Sequence, residues 1–207
     1  MKQNGRHPVR NIIFDLGKVL VDFEPERCME ALGFSEAAKD AFRRKIFPGL
    51  WIACDRIPYT EAEIRALFKE QLPGFEAESD RLWDSLEDIS RVMPYTVSWL
   101  RALKERGYRL YILSNYGRRS FEMNAPRYGF LSLTDGQLIS YEIQSIKPEP
   151  KIYRTLCRRF AICPEESVFL DDRPENVETA RQLGFRGIVF ESYEKASASL
   201  EKMLDEA

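Results

Sequence analysis

The second half of this chain alternates short apolar segments with longer amphipathic ones, and this alternation constrains the fold more than any other feature. Short apolar runs bounded by turn residues predict buried strands, and the longer segments commonly end at glycines, which is typical of helix C-termini. After Pro94 the predicted order is helix 95–106, strand 108–113, helix 117–128, strand 137–141, helix 150–160, strand 167–170, helix 174–183, strand 186–190 and helix 194–204. Strands separated by helices of this length form βαβ units, so the chain is predicted to be an α/β protein built on a parallel sheet.

A further strand is predicted far upstream, at residues 9–14, and a different kind of segment separates it from the alternating half. Residues 24–91 are rich in charge and helical periodicity, with predicted helices at 25–32, 35–47, 60–71 and 76–91. Pro48-Gly49, Pro58 and Pro73-Gly74 punctuate these helices. We therefore predict a core of residues 1–23 and 92–207, and a small all-helical insert of residues 24–91.

Composition excludes several classes of function. The 31 basic and 33 acidic residues nearly balance, with no long run of one sign, so a nucleic-acid partner is not indicated. No apolar run approaches the roughly 20 residues that span a bilayer, and residues 1–10 lack the apolar centre of a signal peptide. We expect a cytoplasmic protein with no membrane partner, either a monomer or a weak homodimer.

Histidine and cysteine usage narrows the chemistry further. The single histidine, His7, lies in the polar N-terminal tail, which disfavours a histidine-dependent triad, a histidine-ligated zinc site and a phosphohistidine mechanism. The four cysteines have no C-x-x-C spacing, so reduced structural thiols are expected, with a reactive Cys54 as the alternative. The available reactive groups are therefore carboxylates, lysine, serine and cysteine.

Polar side chains stand where predicted strands end. Asp15 follows the first strand, Ser114 the second, and the pair Asp171-Asp172 a later one, while Lys147 lies in a loop before a helix. Ligands bind open parallel sheets beyond the carboxyl ends of the strands, near the point where strand order switches. We expect these residues to meet at one edge of the sheet.

Together these residues suit phosphoryl transfer. A carboxylate such as Asp15 can attack phosphorus and form an aspartyl-phosphate. Asp171 and Asp172 are ligands of the kind that Mg²⁺ prefers, and Lys147 can neutralise both the nucleophile and the phosphate. The hydroxyl of Ser114 can bind phosphate oxygens. Each residue alone has an ordinary structural explanation, but four in this order and at these positions rarely arise by chance.

The segments around these positions resemble the four motifs of the haloacid dehalogenase superfamily. The resemblance rests on residues 12–20 (IIFDLGKVL), 112–115 (ILSN), 147–153 (KPEPKIY) and 169–176 (FLDDRPEN). It covers nearly the whole chain and implies a Rossmann-like parallel core, with a mobile helical cap of type 1 at the position of residues 24–91. The D-L-G-x-V pattern at Asp15 also resembles a bacterial subgroup that includes glucose-1-phosphate phosphatases.

The resemblance implies roles for these residues. Asp15 is then the nucleophile, and Mg²⁺ is held by Asp15, the main-chain carbonyl at Gly17 and Asp171, with Asp172 as a further ligand or an outer partner. The implied activity is Mg²⁺-dependent hydrolysis of a small phosphorylated metabolite.

Substrate contacts are predicted from two places. Ser114, Asn115 and Lys147 are expected to bind the phosphate. The apolar stretch 47–56 of the insert is interpreted as a cap segment that closes over the substrate, with Asp55 and Arg56 as specificity residues, or alternatively as a contact between helices within the insert.

Gly17 departs from the family pattern. Phosphatases of the family carry a second aspartate two residues after the nucleophile, as general acid and base, and its loss would cost about 10²–10⁴-fold in rate. A phosphatase could tolerate the loss if its leaving group needs little protonation, as the anomeric oxygen of a sugar 1-phosphate does. Water or an insert residue could also replace the acid, and the candidates are Asp55, Arg56, Lys45 and Glu24.

Two other functions stay open at this point. One is hydrolysis of a phosphonate or another C–X bond, although dehalogenases do not use the acidic pair seen at Asp171-Asp172. A phosphonate enzyme would need an imine-forming lysine from the insert, where the candidates are Lys39, Lys45 and Lys69. The other is a binding protein that has kept the fold and lost turnover.

Overall fold

A computed structural model describes residues 8–205 of the chain, so His7 and the rest of residues 1–7 lie outside the described part. At its centre is a five-stranded sheet with the order β3-β2-β1-β4-β5, in which every pair is parallel. The strands are β1 (Asn11–Phe14), β2 (Arg109–Ser114), β3 (Gly136–Ile139), β4 (Ser167–Asp171) and β5 (Arg186–Val189). The predicted parallel α/β architecture is confirmed.

Helices surround the sheet and fill the interval between β1 and β2. They are α1 (Pro25–Ala31), α2 (Glu36–Lys45), α3 (Ile52–Arg56), α4 (Glu61–Gln71), α5 (Glu76–Asp84), α6 (Thr96–Glu105), α7 (Arg118–Asn124), α8 (Pro150–Phe160), α9 (Pro174–Gln182) and α10 (Tyr193–Asp205). Within residues 8–205, none of them has the length and apolarity that crossing a membrane requires.

The strands bury alternate side chains on the two faces of the sheet. On one face Phe14 packs edge-on against Trp99 of α6, with 5.0 Å between ring centroids, in a cluster that also includes Leu200 of α10. On the other face Ile13 belongs to a cluster that includes Tyr153 of α8 and residues of α9. Because side chains alternate along a strand, β1 is buried on both faces and carries an uninterrupted apolar sequence.

The insert has an apolar core of its own. Its buried members are Cys28, Met29, Phe34, Ala38, Phe42, Ile46, Ile64, Phe68, Leu72, Leu82, Trp83, Leu86 and Ile89. Residues 25–88 are arranged as helices joined by turns, as the helical periodicity predicted. The domain boundaries at residues 24 and 91 stay a prediction.

The helix ends inside the insert differ from the predicted ones at two places. The expected interruption at Pro48-Gly49 is wrong, because the chain stays helical: α2 continues through a π-helical turn, Ile46–Trp51, directly into α3. A π turn changes the hydrogen-bond spacing, which accommodates a proline that lacks an N–H donor. Phe47 packs edge-on against Trp51, with 5.6 Å between the ring centroids. The predicted helix 76–91 is also shorter, since α5 ends at Asp84 and only a 3₁₀ turn, Leu86–Asp88, follows.

The two chain segments that connect the insert to the core run side by side. The N–H of Asp22 donates to the carbonyl of Arg91 at 2.8 Å, and the N–H of Glu24 donates to the carbonyl of Ile89 at 2.9 Å. Because both connections leave from the same side, the insert lies over the carboxyl ends of the strands, where it contacts the polar residues described below.

Tight packing between α9 and β5 gives a test of the fold. A Cβ atom added at Gly187 would lie 2.6 Å from Cγ1 of Val177. We expect Gly187→Ala to lower the free energy of unfolding by about 1–3 kcal/mol, because a filled contact must move apart. Urea unfolding measures this, with Gly129→Ala as the control: an added Cβ there has no heavy atom within 4 Å, and its effect should stay within about 0.5 kcal/mol. Equal effects of the two substitutions would contradict the packing.

Candidate active site

Three strand ends bring polar residues together at the carboxyl edge of the sheet. Asp15 follows β1 directly, and its N–H donates to the carbonyl of Leu170 in β4 at 2.9 Å. Asp171 is the last residue of β4, and Ser114 is the last residue of β2. Because β1 pairs with both β2 and β4, the predicted convergence of these strand ends is observed.

Lys147 is the cation at the centre of this edge. Its Nζ lies 2.9 Å from Oδ1 of Asp15 and 2.6 Å from Oδ2 of Asp171, and only 1% of its side chain is exposed. Burial disfavours the charged lysine, but the two carboxylates outweigh that effect and raise the pKa of Lys147. The ammonium group therefore stays charged and holds two buried carboxylates together.

The same burial acts on Asp15 in the opposite sense. Desolvation raises the pKa of Asp15 to about 6, with the charge of Asp171 adding to the rise, while Lys147 and the hydroxyl of Ser114 oppose it. The carboxylate of Asp15 is therefore paired with the ammonium group of Lys147, and burial makes it more basic than a solvated carboxylate.

Two asparagines fix this arrangement. The side-chain oxygen of Asn115 accepts a hydrogen bond from the main-chain N–H of Lys147 at 2.7 Å. Its side-chain nitrogen donates to the main-chain carbonyl of Lys147 at 3.0 Å. Asn176 donates to Oδ1 of Asp171 at 2.8 Å, and the N–H of Arg173 donates to the same oxygen at 2.9 Å. Asn115, predicted to bind substrate, therefore has both ends of its amide engaged in positioning the lysine. The motif that contains Asn115 did not predict these hydrogen bonds to Lys147, which lies 32 residues further along the chain.

Three carboxylates form a cluster that suits a divalent cation. Asp15, Asp171 and Asp172 each offer an oxygen, and these oxygens lie within 4.8 Å of one another. Burial raises the pKa of Asp172, and the neighbouring Asp171 charge adds to the rise, because both disfavour a further negative charge at this place. Hard oxygen donors in this number fit Mg²⁺. Gly17 lies at the wall of the adjoining cavity.

A cavity of about 400 Å³ lies between this edge and the insert. Its core side includes Asp15, Lys147 and Asp172, and its insert side includes Trp51 and Trp83. The wall also includes apolar residues of the connecting segment and the insert: Phe23, Ile52, Ile57, Ile64 and Leu86. The cavity thus has charged residues on its core side and largely apolar residues on its insert side.

Helix α3 brings the insert against the core at the cavity. The Ser140 hydroxyl donates to the main-chain carbonyl of Asp55, and Arg56 forms an ion pair with Glu149. Asp55 lines the cavity, and burial, reinforced by the charge of Asp15, raises its pKa to about 7. Arg56 is not among the cavity-lining residues that the structure describes, so the two predicted specificity residues take different positions.

The remaining predicted candidates lie away from the cavity. Lys45 is exposed, Lys39 pairs with Glu36, and Lys69 pairs with Asp80 at 2.8 Å. Within residues 8–205 the lysines that line the cavity are Lys18 and Lys147, neither of which belongs to the insert.

Cys54 also fits a structural thiol. Its Sγ donates to the carbonyl of Leu50 at 3.1 Å, and burial raises its pKa to about 12. The thiolate is therefore scarce at neutral pH, which disfavours the alternative of a reactive cysteine.

The comparisons with known proteins agree with this geometry. Residues 9–184 match the family model of haloacid dehalogenase-like hydrolases, so the chain belongs to this family of enzymes. It is 25% identical over 191 residues to D-ribitol-5-phosphate phosphatase of Bacteroides thetaiotaomicron, covering 86% of this chain and 89% of that protein. It is also 34% identical over 110 residues to (S)-2-haloacid dehalogenase 1 of a Pseudomonas species, a match that covers 53% of this chain and 48% of the dehalogenase.

Solved structures show the same fold over nearly the full length. A HAD family enzyme from Bacteroides thetaiotaomicron superposes with a TM-score of 0.78 at 25% identity, covering 94% of this chain and 99% of that one. The magnesium complex of that enzyme superposes with a TM-score of 0.75 at 25% identity, with the same coverage. The predicted Rossmann-like core and superfamily are therefore confirmed.

The role of Lys147 as a buried counter-ion gives a direct test. Lys147→Met keeps an unbranched side chain, one atom shorter than lysine, but leaves Asp15 and Asp171 buried without the lysine ammonium. We expect it to lower the free energy of unfolding by about 3–5 kcal/mol when EDTA is present. Added Mg²⁺ should restore part of the loss, because a bound cation would again neutralise the carboxylates.

The control is Lys195→Met, which removes an exposed ion pair in which Nζ of Lys195 lies 2.6 Å from Oε2 of Glu191. Its expected effect is at most about 1 kcal/mol. Urea unfolding at pH 7 measures both variants. Equal losses in the two would contradict the assignment of Lys147 as the cation on which the site depends.

Proposed function

We propose that this chain is a Mg²⁺-dependent phosphomonoester hydrolase that acts on a small metabolite through a phosphorylated Asp15. The observation that carries the proposal is the buried contact of Lys147 with Asp15 and Asp171, in which Asp15 and Lys147 also line a cavity of about 400 Å³. The similarity to a ribitol-phosphate phosphatase and to an enzyme crystallised with magnesium supports it.

The residues divide the work of phosphoryl transfer. Asp15 forms a bond to phosphorus, and Lys147 neutralises negative charge on both the carboxylate and the phosphate. Ser114 lies beside Asp15 at the end of β2, where its hydroxyl can bind a phosphate oxygen. Asn115 holds Lys147 in place through the two hydrogen bonds to its main chain.

The metal would be held by the acidic cluster. Asp15, Asp171 and Asp172, with the main-chain carbonyl of Gly17, supply oxygen ligands of the type that Mg²⁺ takes. Bound Mg²⁺ would offset the repulsion between the attacking carboxylate and the phosphate. Asn176 and the N–H of Arg173 orient Asp171 for this purpose through their hydrogen bonds.

Residues 24–91 serve in this proposal as a cap. Their helices form the apolar upper wall of the cavity, and the contacts of α3 with Ser140 and Glu149 hold that wall on the core. A closed wall excludes water, which strengthens the interactions of Lys147 with a bound phosphate.

The finer proposal for the substrate is a sugar or polyol phosphate, including sugar 1-phosphates. An anomeric oxygen departs readily, which suits a site with glycine at position 17. Trp51 and Trp83 line the cavity and offer aromatic faces against which the carbon skeleton of a sugar or polyol can pack.

No observation favours the other candidate reactions. A phosphonate hydrolase would need an insert lysine at the cavity, and Lys39, Lys45 and Lys69 all lie elsewhere. Cleavage of a carbon–halogen bond would leave the acidic pair Asp171-Asp172 without a use. A binding protein without catalysis would have no use for the buried group of Lys147, Asp15 and Asp171.

The test is Mg²⁺-dependent phosphate release from a panel of sugar, polyol and aryl phosphates. We expect release by the wild type with Mg²⁺ and none with EDTA. Asp15→Asn should lower kcat by at least about 10³-fold, because amide nitrogen and oxygen are poor nucleophiles.

The matched control is Asp40→Asn, since Asp40 lies on an exposed face of α2, paired with Arg44. This variant should keep wild-type activity. Release that persists in Asp15→Asn, or the absence of release from every ester by the wild type, would overturn the proposal.

A further inference from the structure

The residues assigned so far to the nucleophile, the metal and the phosphate do not include a proton donor for the leaving group. Hydrolysis of an alkyl phosphate releases an oxygen that must gain a proton, and Gly17 has no side chain to give one. If the proposed function holds, on which this inference rests, another residue of this chain must supply that proton.

The carboxyl groups that line the cavity within residues 8–205 are those of Asp15, Asp55 and Asp172. Asp15 and Asp172 belong to the acidic cluster at the strand ends, and Asp15 is also paired with Lys147. Asp55 stands outside that cluster and reaches the cavity from the insert. In the proposed function Asp15 is already assigned as the nucleophile and Asp172 as a metal ligand, whereas Asp55 has no assigned role.

The other insert residues that the sequence offers as replacements for the acid are placed elsewhere. Arg56 is held by Glu149, and Glu24 and Lys45 are exposed. None of these three residues is among the described residues that line the cavity. The structure therefore separates Asp55 from the alternatives that the sequence left unranked.

Asp55 is held in place by two core loops. The N–H of Gly117 favours the charged form of its carboxyl and so opposes the rise in the pKa of Asp55. Its main-chain carbonyl accepts a hydrogen bond from the hydroxyl of Ser140. The packing here is close, because a Cβ atom added at Gly117 would lie 3.3 Å from Cβ of Cys54. Helix α3 is thus fixed against the loop that follows β2, beside the cavity floor.

The charges around Asp55 are those of the reaction centre. Its carboxyl interacts electrostatically with Asp15, Lys147 and Arg173, all of which line the same cavity. Its raised pKa leaves part of the carboxyl protonated near neutral pH, which suits a group that must first give a proton and then take one.

We propose that Asp55, carried by helix α3 of the insert, is the general acid and base that position 17 does not supply. In the first step Oδ of Asp15 bonds to phosphorus, the ester P–O bond breaks, and the departing oxygen takes the proton of the Asp55 carboxyl. In the second step Asp55 takes a proton from water as the water oxygen bonds to phosphorus and the bond to Asp15 breaks. The products are alcohol and inorganic phosphate, and both aspartates return to their starting forms.

This assignment couples chemistry to the docking of the insert. The proton donor reaches the cavity only while α3 lies against Gly117 and Ser140, so a core without a docked insert lacks a working acid. Alkyl phosphates, including polyol phosphates, then fall within the substrate range in spite of Gly17, because the leaving oxygen receives its proton from the insert.

The experiment compares two esters of similar size with different needs for protonation. Benzyl phosphate releases an alkoxide that needs a proton, and para-nitrophenyl phosphate releases a phenoxide that does not. We expect Asp55→Asn to lower kcat/KM by at least about 10²-fold for the benzyl ester and by less than about 10-fold for the nitrophenyl ester. Asp55→Ser is a second variant with the same expected pattern, in case the amide misfolds.

A carboxyl restored at position 17 provides the rescue. An added Cβ at Gly17 has no heavy atom within 4 Å, so the double variant Gly17→Asp, Asp55→Asn has room for the side chain. We expect it to raise kcat/KM for benzyl phosphate by at least about 10-fold over Asp55→Asn, with little change for the nitrophenyl ester.

The outcomes separate the two proposals. Equal losses for both esters in the Asp55 variants would overturn the acid-base role, because they would indicate a structural or binding effect alone. A wild type that hydrolyses only the nitrophenyl ester would overturn it as well, since such an enzyme has no working acid. Failure of the added carboxyl to raise benzyl phosphate turnover would count against a missing proton donor. A wild type inactive towards both esters and the whole earlier panel would overturn the proposed function itself.

Discussion

The buried contact of Lys147 with Asp15 and Asp171 is the interaction on which the rest of the site depends. A lone charge in that position would be strongly destabilising, and three charges are tolerated only because their atoms lie within hydrogen-bond distance. The sheet provides this geometry by placing β1 beside β4, so that both aspartates leave neighbouring strands at the same edge. The asparagine contacts to the Lys147 main chain and to Asp171 then hold the contact in one arrangement.

The core and the insert contribute different parts of the proposed reaction. The core concentrates charge: nucleophile, lysine and acidic cluster all come from strand ends or the loops that follow them. The insert contributes shape through its apolar wall, and in our proposal the proton through Asp55. In our proposal this division follows from Gly17, because position 17 has no side chain that could supply the acid.

Much of the fold and the charged part of the site could be predicted from the sequence because their signals are local. Apolar runs ending in Asp15, Ser114 and Asp171 mark strand ends, and parallel strands bring such ends together. The rest depends on contacts between distant segments. The helix that continues through Pro48 is stabilised by packing within the insert, and neither the hydrogen bonds of Asn115 to Lys147 nor the place of Asp55 beside Gly117 leaves a pattern in sequence.

In the proposed mechanism the phosphoryl group is bonded covalently to Asp15 before water attacks it. Acid-quench mass spectrometry during turnover of para-nitrophenyl phosphate tests it most directly, by locating any phosphorylated residue. We expect one phosphoryl group on the peptide that contains Asp15, in greater amount in Asp55→Asn, where the second step lacks its base. Steady turnover with no phosphoryl group on that peptide, or with the group on another residue, would contradict covalent catalysis by Asp15.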